Sequence, residues 1–292
     1  MTAPGMSVVI PTRNRLASLQ QALVALARQT HDAELFEVLV ADDGSSDGTA
    51  AFLAAPPEYP FSLRSVRLPG SGPAAARNRA IRLALAPRVL LLGDDTFPEP
   101  DALSRHLAAA AGRELGVQGR IDWDSAAPIT PVMRFLAPEG PQFYFKGLEH
   151  GQPIPYTAVY ASNFSAPTRW FLEDPFDEGF PAAAFEDTEL AYRWGRKGRT
   201  AIYCHGAVSA HRHHYDRIET FLSRQRAAGQ AARRAARLHP AMALETIVKP
   251  LAIGLLFGAR YGLRGLRGLA SESDLWDLKC RAAFLFGLLF SW

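Results

Sequence analysis

The segment Phe36–Ser46, with the sequence FEVLVADDGSS, joins a short apolar run to an acidic turn. The run is bounded by Asp, Gly and Ser and contains two valines, which predicts a buried strand. Composition alone would make the turn a simple helix cap, with Asp47 or Thr49 beginning the next helix. Two adjacent carboxylates at a buried strand end, Asp42 and Asp43, favour a second interpretation, in which they accept hydrogen bonds from a ribose or a base.

The same alternation of apolar runs and helical spacing continues on both sides of this segment. Strands are predicted over 7–10, 36–41, 63–68, 88–92 and 200–203, and helices over 16–27, 49–54, 74–85, 100–110, 187–196 and 218–238. Residues 112–160 are rich in Gly, Pro and aromatics and predict short strands and loops. Strands that alternate with helices predict an α/β/α three-layer sandwich with a largely parallel, mixed sheet.

The ends of three predicted strands carry polar clusters. Residues 11–14 read PTRN, residues 42–45 read DDGS, and residues 93–95 read GDD. Ligands of such sheets bind at the carboxyl ends of the strands, so these clusters predict one shared site.

The third of these clusters contains two adjacent acids, Asp94 and Asp95. Like charges at a buried position are costly unless a cation or hydrogen-bond donors neutralise them. Mg²⁺ and Mn²⁺ take carboxylate oxygens and bridge to phosphates. The pair therefore predicts a divalent metal beside a diphosphate leaving group, with an N-cap pair as the simpler alternative.

Two further clusters lie later in the chain. Glu186 and Asp187 precede a helix, which suits either a helix cap or a general base. His211 and His213 alternate on a predicted extended segment and would share a face, where one of them would complete a metal shell. A surface histidine cluster is the alternative, and a zinc site made of histidines alone would lack further ligands.

This ordered set of motifs resembles the family-2 glycosyltransferases of the GT-A fold over residues 7–237. The motifs are VVIPTRN at 8–14, DDGSSDGT at 42–49, GPAAARN at 72–78, GDD at 93–95, Asn163, FDE at 176–178, and Glu186, Asp187, Glu189, Leu190 and Arg193. The resemblance implies an inverting transferase that takes a nucleoside-diphosphate sugar and a glycan or lipid-linked acceptor.

The resemblance also implies roles for individual residues. The nucleotide-sugar site would comprise Pro11, Thr12, Arg13, Asn14, Asp42, Asp43, Arg77 and Asp94. The metal, Mg²⁺ or Mn²⁺, would be held by Asp95 together with His211, with His213 as the second choice, and the base would be Asp187, with Glu186 as the reserve.

Two departures from the family pattern matter. The metal motif of the family usually has an acid where this chain has Gly93. Processive synthases carry a Gln-x-x-Arg-Trp motif, whereas the corresponding helix here reads RQRAAG over 224–229. The second departure predicts a single sugar addition rather than polymerisation.

Competing interpretations explain fewer of the motifs. Gly70–Ala75 matches the dinucleotide fingerprint G-x-G-x-x-A, but its preceding strand is charged and Pro69 breaks into the turn. A nucleotidyltransferase would share the sheet but would open with a Gly-rich loop. Nucleic-acid binding explains the basic helix but not the acidic strand ends, so no nucleic-acid partner is expected. A catalytically inactive nucleotide-sugar-binding protein of the same fold remains the main alternative.

The composition of the chain predicts its partners and its location in the cell. The net charge is only +3, yet residues 193–237 hold eleven Lys and Arg against two acids, which favours an anionic partner. Two cysteines without a framework spacing, and no signal-peptide layout, predict a cytoplasmic protein. The expected divisions are 1–110 for the nucleotide-sugar half, 111–240 for the acceptor and catalytic half, and 241–292 for a helical tail.

The tail combines apolar runs with a basic stripe. On a helix, Lys249, Arg260, Arg264 and Arg267 share one side, and Gly254, Gly258 and Gly262 recur at four-residue spacing. The runs are too short to span a bilayer. Residues 247–292 therefore predict peripheral contact with the cytoplasmic face of a membrane, with packing on the domain or a homodimer seam as the alternatives.

Overall fold

The computed structural model describes residues 4–180, 184–254, 256 and 271–290. The chain packs into two compact units. The first unit holds residues up to 129 with 137–179 and 187–213, and the second holds 130–136, 180–186 and the residues from 214 onward. The division into halves at 110 and 240 remains a prediction.

One mixed sheet forms the centre of the first unit. In the described part of the chain its strands are β1 Met6–Thr12, β2 Phe36–Asp42, β3 Ser62–Arg67, β4 Arg88–Leu92, β5 Thr96–Pro98, β6 Gly116–Trp123, β7 Asn163–Pro167 and β8 Ala201–His211. Their order is β3-β2-β1-β4-β7-β6-β8-β5. Parallel pairing joins β3, β2, β1 and β4, and also β6 with β8, whereas β7 runs antiparallel to both of its neighbours.

Most of the helices lie where the spacing in the sequence predicts them. They are α1 Leu16–Ala27, α2 Thr49–Ala54, α3 Pro73–Ile81, α4 Ala102–Ala110, α5 Pro131–Leu136, α6 Thr168–Glu173, α7 Glu186–Arg196, α8 Glu219–Leu238 and α9 Glu272–Leu289. Shorter 3₁₀ turns occupy Ala33–Leu35, Tyr156–Ala158 and Pro240–Met242, and a π-helical turn occupies Leu244–Val248.

Side chains along each strand alternate between the two faces of the sheet, and a hydrophobic core forms on each face. Val8 and Ile10 of β1 pack with Leu19 and Leu23 of α1, whereas Val9 points to the opposite face. Successive strand side chains point to opposite faces, so β1 serves both cores. The second core includes side chains of α3, α6 and α7. This is the three-layer α/β arrangement expected from the sequence.

The pairing register brings several chain segments to one edge of the sheet. The parallel strands place Thr12 beside Asp42 at their carboxyl ends. Because β7 is antiparallel to β4, its first residue Asn163 lies opposite Leu92. The end of β8 at His211 lies beside Trp123, the end of β6. The edge that follows β1, β2 and β4 therefore also contains the start of β7 and the ends of β6 and β8.

Several elements differ from the sequence expectations. The strand predicted over 200–203 continues to His211, and β7 with α6 occupies a region in which neither was predicted. The helix predicted over 74–85 ends at Ile81. The longer β8 places His211 on the sheet and leaves His213 beyond the strand.

The second unit is built around close packing of α8 and α9. A Cβ atom at Gly229 would collide with the carbonyl oxygen of Phe284, and one at Gly287 would collide with that of Arg226. Glycines therefore allow these helix backbones to approach each other. Arg260, Arg264, Arg267, Gly258 and Gly262 of the predicted tail lie outside the described residues. Within the described ranges, no helix has the length and apolar character needed to cross a membrane.

Candidate functional site

The acidic turn after β2 is built from backbone amides. Asp42 Oδ1 accepts a hydrogen bond from the Ser45 amide at 2.9 Å. Asp43 accepts from the amides of Ser71 at 2.6 Å and Gly72 at 2.8 Å. The amides of the glycine-rich turn are thus bound to a protein carboxylate, which accounts for Gly70–Ala75 without a dinucleotide.

The β1–α1 loop is tied to the same turn. Asn14, with a positive φ of 53°, accepts from the Ser46 amide through Oδ1 at 2.7 Å. Its own amide donates to Ser45 Oγ at 2.9 Å. The guanidinium of Arg13 lies next to Gly70. The loop after β1, the turn after β2 and the glycine-rich turn before α3 are therefore adjacent.

Asp94 and Asp95 follow β4, and they are bound by a side chain of β1 and by one from the loop after β1. Thr12 Oγ1 donates to Asp94 Oδ2 at 2.8 Å. Arg15 Nη1 lies 2.5 Å from Asp95 Oδ2 and 3.4 Å from Asp94 Oδ1. The predicted cluster of like charges exists, and a guanidinium bridges it.

The pKa values of Asp94 and Asp95 shift in opposite directions. Burial and the neighbouring Asp95 charge raise the pKa of Asp94 to about 6, although Arg15 and Thr12 oppose the shift. Burial would also raise the pKa of Asp95, but its interactions with His211 and Arg15 outweigh that and hold the pKa well below its ordinary value. Asp95 therefore keeps its negative charge more readily than Asp94.

His211 completes this group. Its Nε2 lies 3.5 Å from Asp95 Oδ1, and the residue is 3% exposed. Trp123 and Phe143 lie against the imidazole with ring centroids 5.4 Å and 5.3 Å away. His213 stacks on it with an interplanar angle of 14° and a centroid distance of 6.1 Å. The structure places His211 Nε2 3.5 Å from Asp95 Oδ1 and stacks the ring of His213 on that of His211.

The side chains of Asp95 and His211 suit a metal ion that takes its remaining ligands from a substrate and from water. No group of three or more His, Cys, Asp or Glu side chains converges on one point within the described residues. Asp95 Oδ1 and His211 Nε2 nevertheless face each other at 3.5 Å. Mg²⁺-like cations commonly take one or two protein ligands and complete the shell with phosphate and water. Two protein ligands therefore fit such a cation.

Gly93 occupies a position at which a side chain would crowd its neighbours. A Cβ atom at this position would lie 2.7 Å from Thr96 Oγ1 and 3.0 Å from Asp95 Oδ1. An acid at position 93 would therefore crowd the Asp95 carboxylate.

Asp187 lies at the start of α7 beside the start of β7. Its Oδ2 accepts from the Ala161 amide at 3.0 Å and its Oδ1 from the Thr188 amide at 2.8 Å. Burial raises the pKa of Asp187, while the Ala161 amide and the Arg77 charge oppose the shift. Asp187 keeps part of its surface accessible, whereas Glu186 is only 2% exposed.

Arg77 is also close to the acidic groups of this edge. It is 7% exposed, and its guanidinium stacks over the ring of Phe176 at 5.5 Å. Its charge acts on Asp187, as the opposing effect on that pKa shows. Pro11 lies at the end of β1, beside Ala41.

A short hairpin that contains Phe143 packs against both His211 and Tyr160. The backbone pairs Glu139 with Tyr144. Phe143 packs edge-on against both His211 and Tyr160, at 5.3 Å in each case. Burial and the Asp187 charge raise the pKa of Tyr160 to about 12. The sequence analysis missed this hairpin, because neither Phe143 nor Tyr160 belongs to a recurring motif.

Other motif residues hold the scaffold. Asn163 Nδ2 donates to the carbonyls of Arg120 and Ala207, both at 2.9 Å. Asn78 binds the backbone of Phe176 in both directions. The sequence analysis also missed Arg15, although it directly follows the VVIPTRN motif.

Comparisons with known proteins identify the family of the chain. Residues 7–160, more than half of the chain, match the family described as Glycosyl transferase family 2. The chain belongs to this family.

Relatives and solved structures support the assignment. Validoxylamine A glucosyltransferase of Streptomyces hygroscopicus subsp. jinggangensis (strain 5008) is 42% identical over an alignment of 218 residues, which covers 65% of this chain and 51% of that protein. Glycosyltransferase AglE of Haloferax volcanii is 30% identical over 122 residues, covering 40% and 39%. The chain spans about half the length of the validoxylamine A glucosyltransferases it matches.

The fold itself is shared with two solved transferases. Mannosyltransferase PcManGT from Pyrobaculum calidifontis, in complex with GDP-Man and Mn²⁺, superposes with a TM-score of 0.71 at 17% identity, covering 98% of this chain and 86% of that one. Staphylococcus aureus TarS 1–349 with UDP gives 0.55 at 15% identity, covering 97% and 90%. The expected family and GT-A fold are confirmed.

Proposed function

We propose that this family-2 chain is an inverting, metal-dependent transferase that moves one sugar from a nucleoside-diphosphate sugar to a hydroxyl acceptor. The observation that carries the proposal is the common sheet edge. Asp95 and His211 lie there 3.5 Å apart, and Asp187 is anchored to the Ala161 amide beside the start of β7. The proposed leaving-group site and the proposed base therefore belong to different elements of one sheet edge.

The donor would enter over the β1, β2 and β4 loops. Asp42, Asp43, Arg13 and Asn14 surround the predicted nucleoside position, and Arg77 supplies a cation for the phosphates. A bound Mg²⁺ or Mn²⁺, held by Asp95 and His211, would stabilise the charge on the departing diphosphate. Asp94 would remain next to it, bound to Thr12.

Asp187 is suited to take the acceptor proton. Each of its oxygens accepts one amide hydrogen bond, and a carboxylate oxygen has a second lone pair free for another donor. Its raised pKa makes the carboxylate a stronger base than an exposed aspartate. Glu186 is more deeply buried, which makes it the weaker candidate.

The relatives suggest where to look for substrates. Their names describe glucosyl transfer to validoxylamine A, and the solved neighbours were captured with GDP-Man and UDP. We propose a hexose donor and a polyhydroxylated acceptor, with glycan and lipid-linked acceptors included in the tests. Single transfer is proposed because the Gln-x-x-Arg-Trp motif is missing from α8.

The decisive experiment is a panel of nucleotide sugars that includes UDP-glucose and GDP-mannose. Metal-dependent release of the nucleotide, abolished by EDTA and restored by Mn²⁺, is expected for at least one donor. Asp187→Asn should lower transfer by about 10²- to 10⁴-fold while donor affinity stays nearly unchanged. Loss of donor binding in this variant would instead assign Asp187 a structural role.

Matched Glu186→Gln serves as the control for charge loss at the adjacent residue and should reduce transfer less. Donor binding without any nucleotide release across the panel would support an inactive binding protein.

Contact with a membrane surface is a separate proposal. The second unit exposes apolar side chains, among them Leu244 (56%), Val248 (51%) and Leu256 (71%), and Lys249 lies in the same segment. Full-length protein should bind anionic vesicles at low salt more strongly than a chain ending at Pro240. Equal binding would exclude the tail as the membrane contact.

A further inference from the structure

An open cavity of about 590 Å³ lies at the sheet edge opposite the candidate active site. Two of its lining residues are Arg88, which begins β4, and Pro167, which ends the antiparallel strand β7. The five residues of β4 separate Arg88 from the acids that follow the strand by more than about 13 Å. The cavity belongs entirely to the first unit and is separate from the proposed donor site.

Arg88 places a buried positive charge beside this cavity. The residue is 7% exposed. Its Nη1 donates to Ser165 Oγ at 3.3 Å and its Nη2 to the Leu115 carbonyl at 3.0 Å. Both acceptors are neutral, and no carboxylate of the described residues forms an ion pair with Arg88. Because a guanidinium has five N–H donors, Arg88 retains donors for a further acceptor.

The positive charge of Arg88 is not neutralised by the surrounding protein. Burial lowers the pKa of Arg88 to about 10, and no neighbouring acid opposes the shift. Burial also lowers the pKa of His106 to about 4, and the Arg88 charge contributes to that shift. A buried charge is costly unless it is paired. An anion that enters the cavity would supply the missing pair.

The rim of the cavity adds further positive charge. Arg113 and Arg169 also line it, and Glu114 is the acidic residue among the lining residues. Glu114 pairs with Arg169, whereas Arg113 donates to the Ala109 carbonyl at 2.8 Å. Three arginines and one glutamate give the lining a formal charge of +2. A phosphate monoester carries about −1.5 to −2 at pH 7, and its oxygens match the guanidinium fork.

The remaining walls are largely apolar. They include Pro87, Leu107, Pro167 and Leu172, and Leu172 is 54% exposed. The volume of about 590 Å³ lies within the range of small-molecule sites, and a free phosphate ion would leave most of it empty. The combination of charge and apolar surface therefore favours a phosphate that carries an organic group.

We propose that the cavity beside Arg88 binds a small organic phosphate at a site distinct from the donor site. The phosphate pairs with Arg88, and Arg113 at the rim adds to its attraction. The organic group lies against Leu107 and Leu172. This binding requires neither a metal nor a nucleotide sugar, so it is independent of the transferase reaction proposed above.

The test uses phenyl phosphate as the probe, titrated calorimetrically into the whole chain at constant ionic strength. EDTA is present, so that no metal links the probe to Asp95. Arg88→Met removes the buried charge, and Arg82→Met is the matched control. Arg82 is an exposed arginine at the end of α3, outside the cavity lining.

A second pair of variants acts at the exposed wall of the cavity, where a substitution leaves the core intact. Leu172→Glu adds a negative charge, and Leu172→Gln is its neutral control. Circular dichroism checks the fold of all four variants. Inorganic phosphate and benzoate, titrated in the same way, separate the contributions of the organic group and of the phosphate.

Wild type should bind phenyl phosphate more tightly than inorganic phosphate or benzoate. Arg88→Met should weaken binding by at least about tenfold, the usual effect of losing a hydrogen bond to a charged group. Arg82→Met should resemble wild type. Leu172→Glu should weaken binding by repulsion, and Leu172→Gln should do so much less.

Absence of phenyl phosphate binding to wild type would overturn the proposal. Unchanged affinity in both Arg88→Met and Leu172→Glu would do the same. Displacement of the probe by UDP would place it in the donor site instead. Benzoate that binds as tightly as phenyl phosphate would refute the assignment of the site to phosphates.

Discussion

Nε2 of His211 and Oδ1 of Asp95 lie 3.5 Å apart across the pairing of β5 with β8. This relationship supports His211, the first choice of the sequence analysis, over His213. His211 is buried and faces the acid, whereas the ring of His213 stacks on that of His211.

We expect His211→Ala to weaken Mn²⁺-dependent nucleotide binding by about tenfold to a hundredfold, because changes in a metal's surroundings typically have effects of this size. The matched variant His213→Ala should have a smaller effect. Calorimetric titration of UDP or GDP in the presence of Mn²⁺ measures both. A larger loss in His213→Ala would reverse the assignment of the ligand.

Asp95→Asn should abolish turnover and remove the metal dependence of nucleotide binding. Asp95 is held in its charged form by His211 and Arg15, and an amide supplies no negative charge to a cation. Nucleotide release with and without EDTA measures the effect. Near-normal, EDTA-sensitive activity would contradict the role of Asp95, and Asp94→Asn is expected to be milder.

Gly93→Asp should reduce activity, although it restores the acid found in the usual family motif. The new Cβ would crowd Thr96 Oγ1 and Asp95 Oδ1, so the Asp95 carboxylate must move. Gly195→Asp is a suitable control, because a Cβ at Gly195 meets no atom within 4 Å. Higher metal affinity in Gly93→Asp would show that the site adapts to the additional acid.

His106 should make stability depend on pH between about 6.5 and 4. Burial lowers its pKa to about 4, assisted by the Arg88 charge and opposed by the hydrogen bond to Asn163. The unfolded chain takes up this proton first as pH falls, so the stabilisation is complete above pH 6.5 and is lost towards pH 4. The loss amounts to at most about 3 kcal/mol.

Urea unfolding at several pH values measures this dependence, and His106→Gln should flatten it in that window. The imidazole sits between Ser165 Oγ at 3.1 Å and Asn163 Oδ1 at 3.0 Å, so the variant should also be less stable at pH 7. An unchanged pH profile would exclude His106 as the titrating group.

Gly119→Ala should destabilise the first unit by about 1–3 kcal/mol, the usual effect of overpacking. Its Cβ would collide with Asn163 Nδ2 and Ala207 O, where β6 shifts its register against β8. Gly195→Ala provides the control in open space. Equal unfolding free energies for the two variants would contradict the packing argument.

Local patterns in the sequence were sufficient for the elements nearest the donor site. Buried runs such as Phe36–Ala41 and the spacing of α1 give strands and helices, because side-chain periodicity is a local property. The clustering of Thr12, Asp42 and Asp94 also follows from sequence, since carboxyl ends of parallel strands meet at one edge. The family motifs add Asp187 to that edge.

Tertiary structure decided the contacts that no local pattern contains. The antiparallel insertion of β7 sets Asn163 beside His106 and brings Ala161 to Asp187, and the extension of β8 distinguishes His211 from His213. The reach of Arg15 to Asp95 and the position of Phe143 also depend on packing between distant segments. The sequence by itself determined which residue types stand at the strand ends. Only the folded chain decided which atoms face one another, because those distances depend on strand register and side-chain packing across the whole sheet.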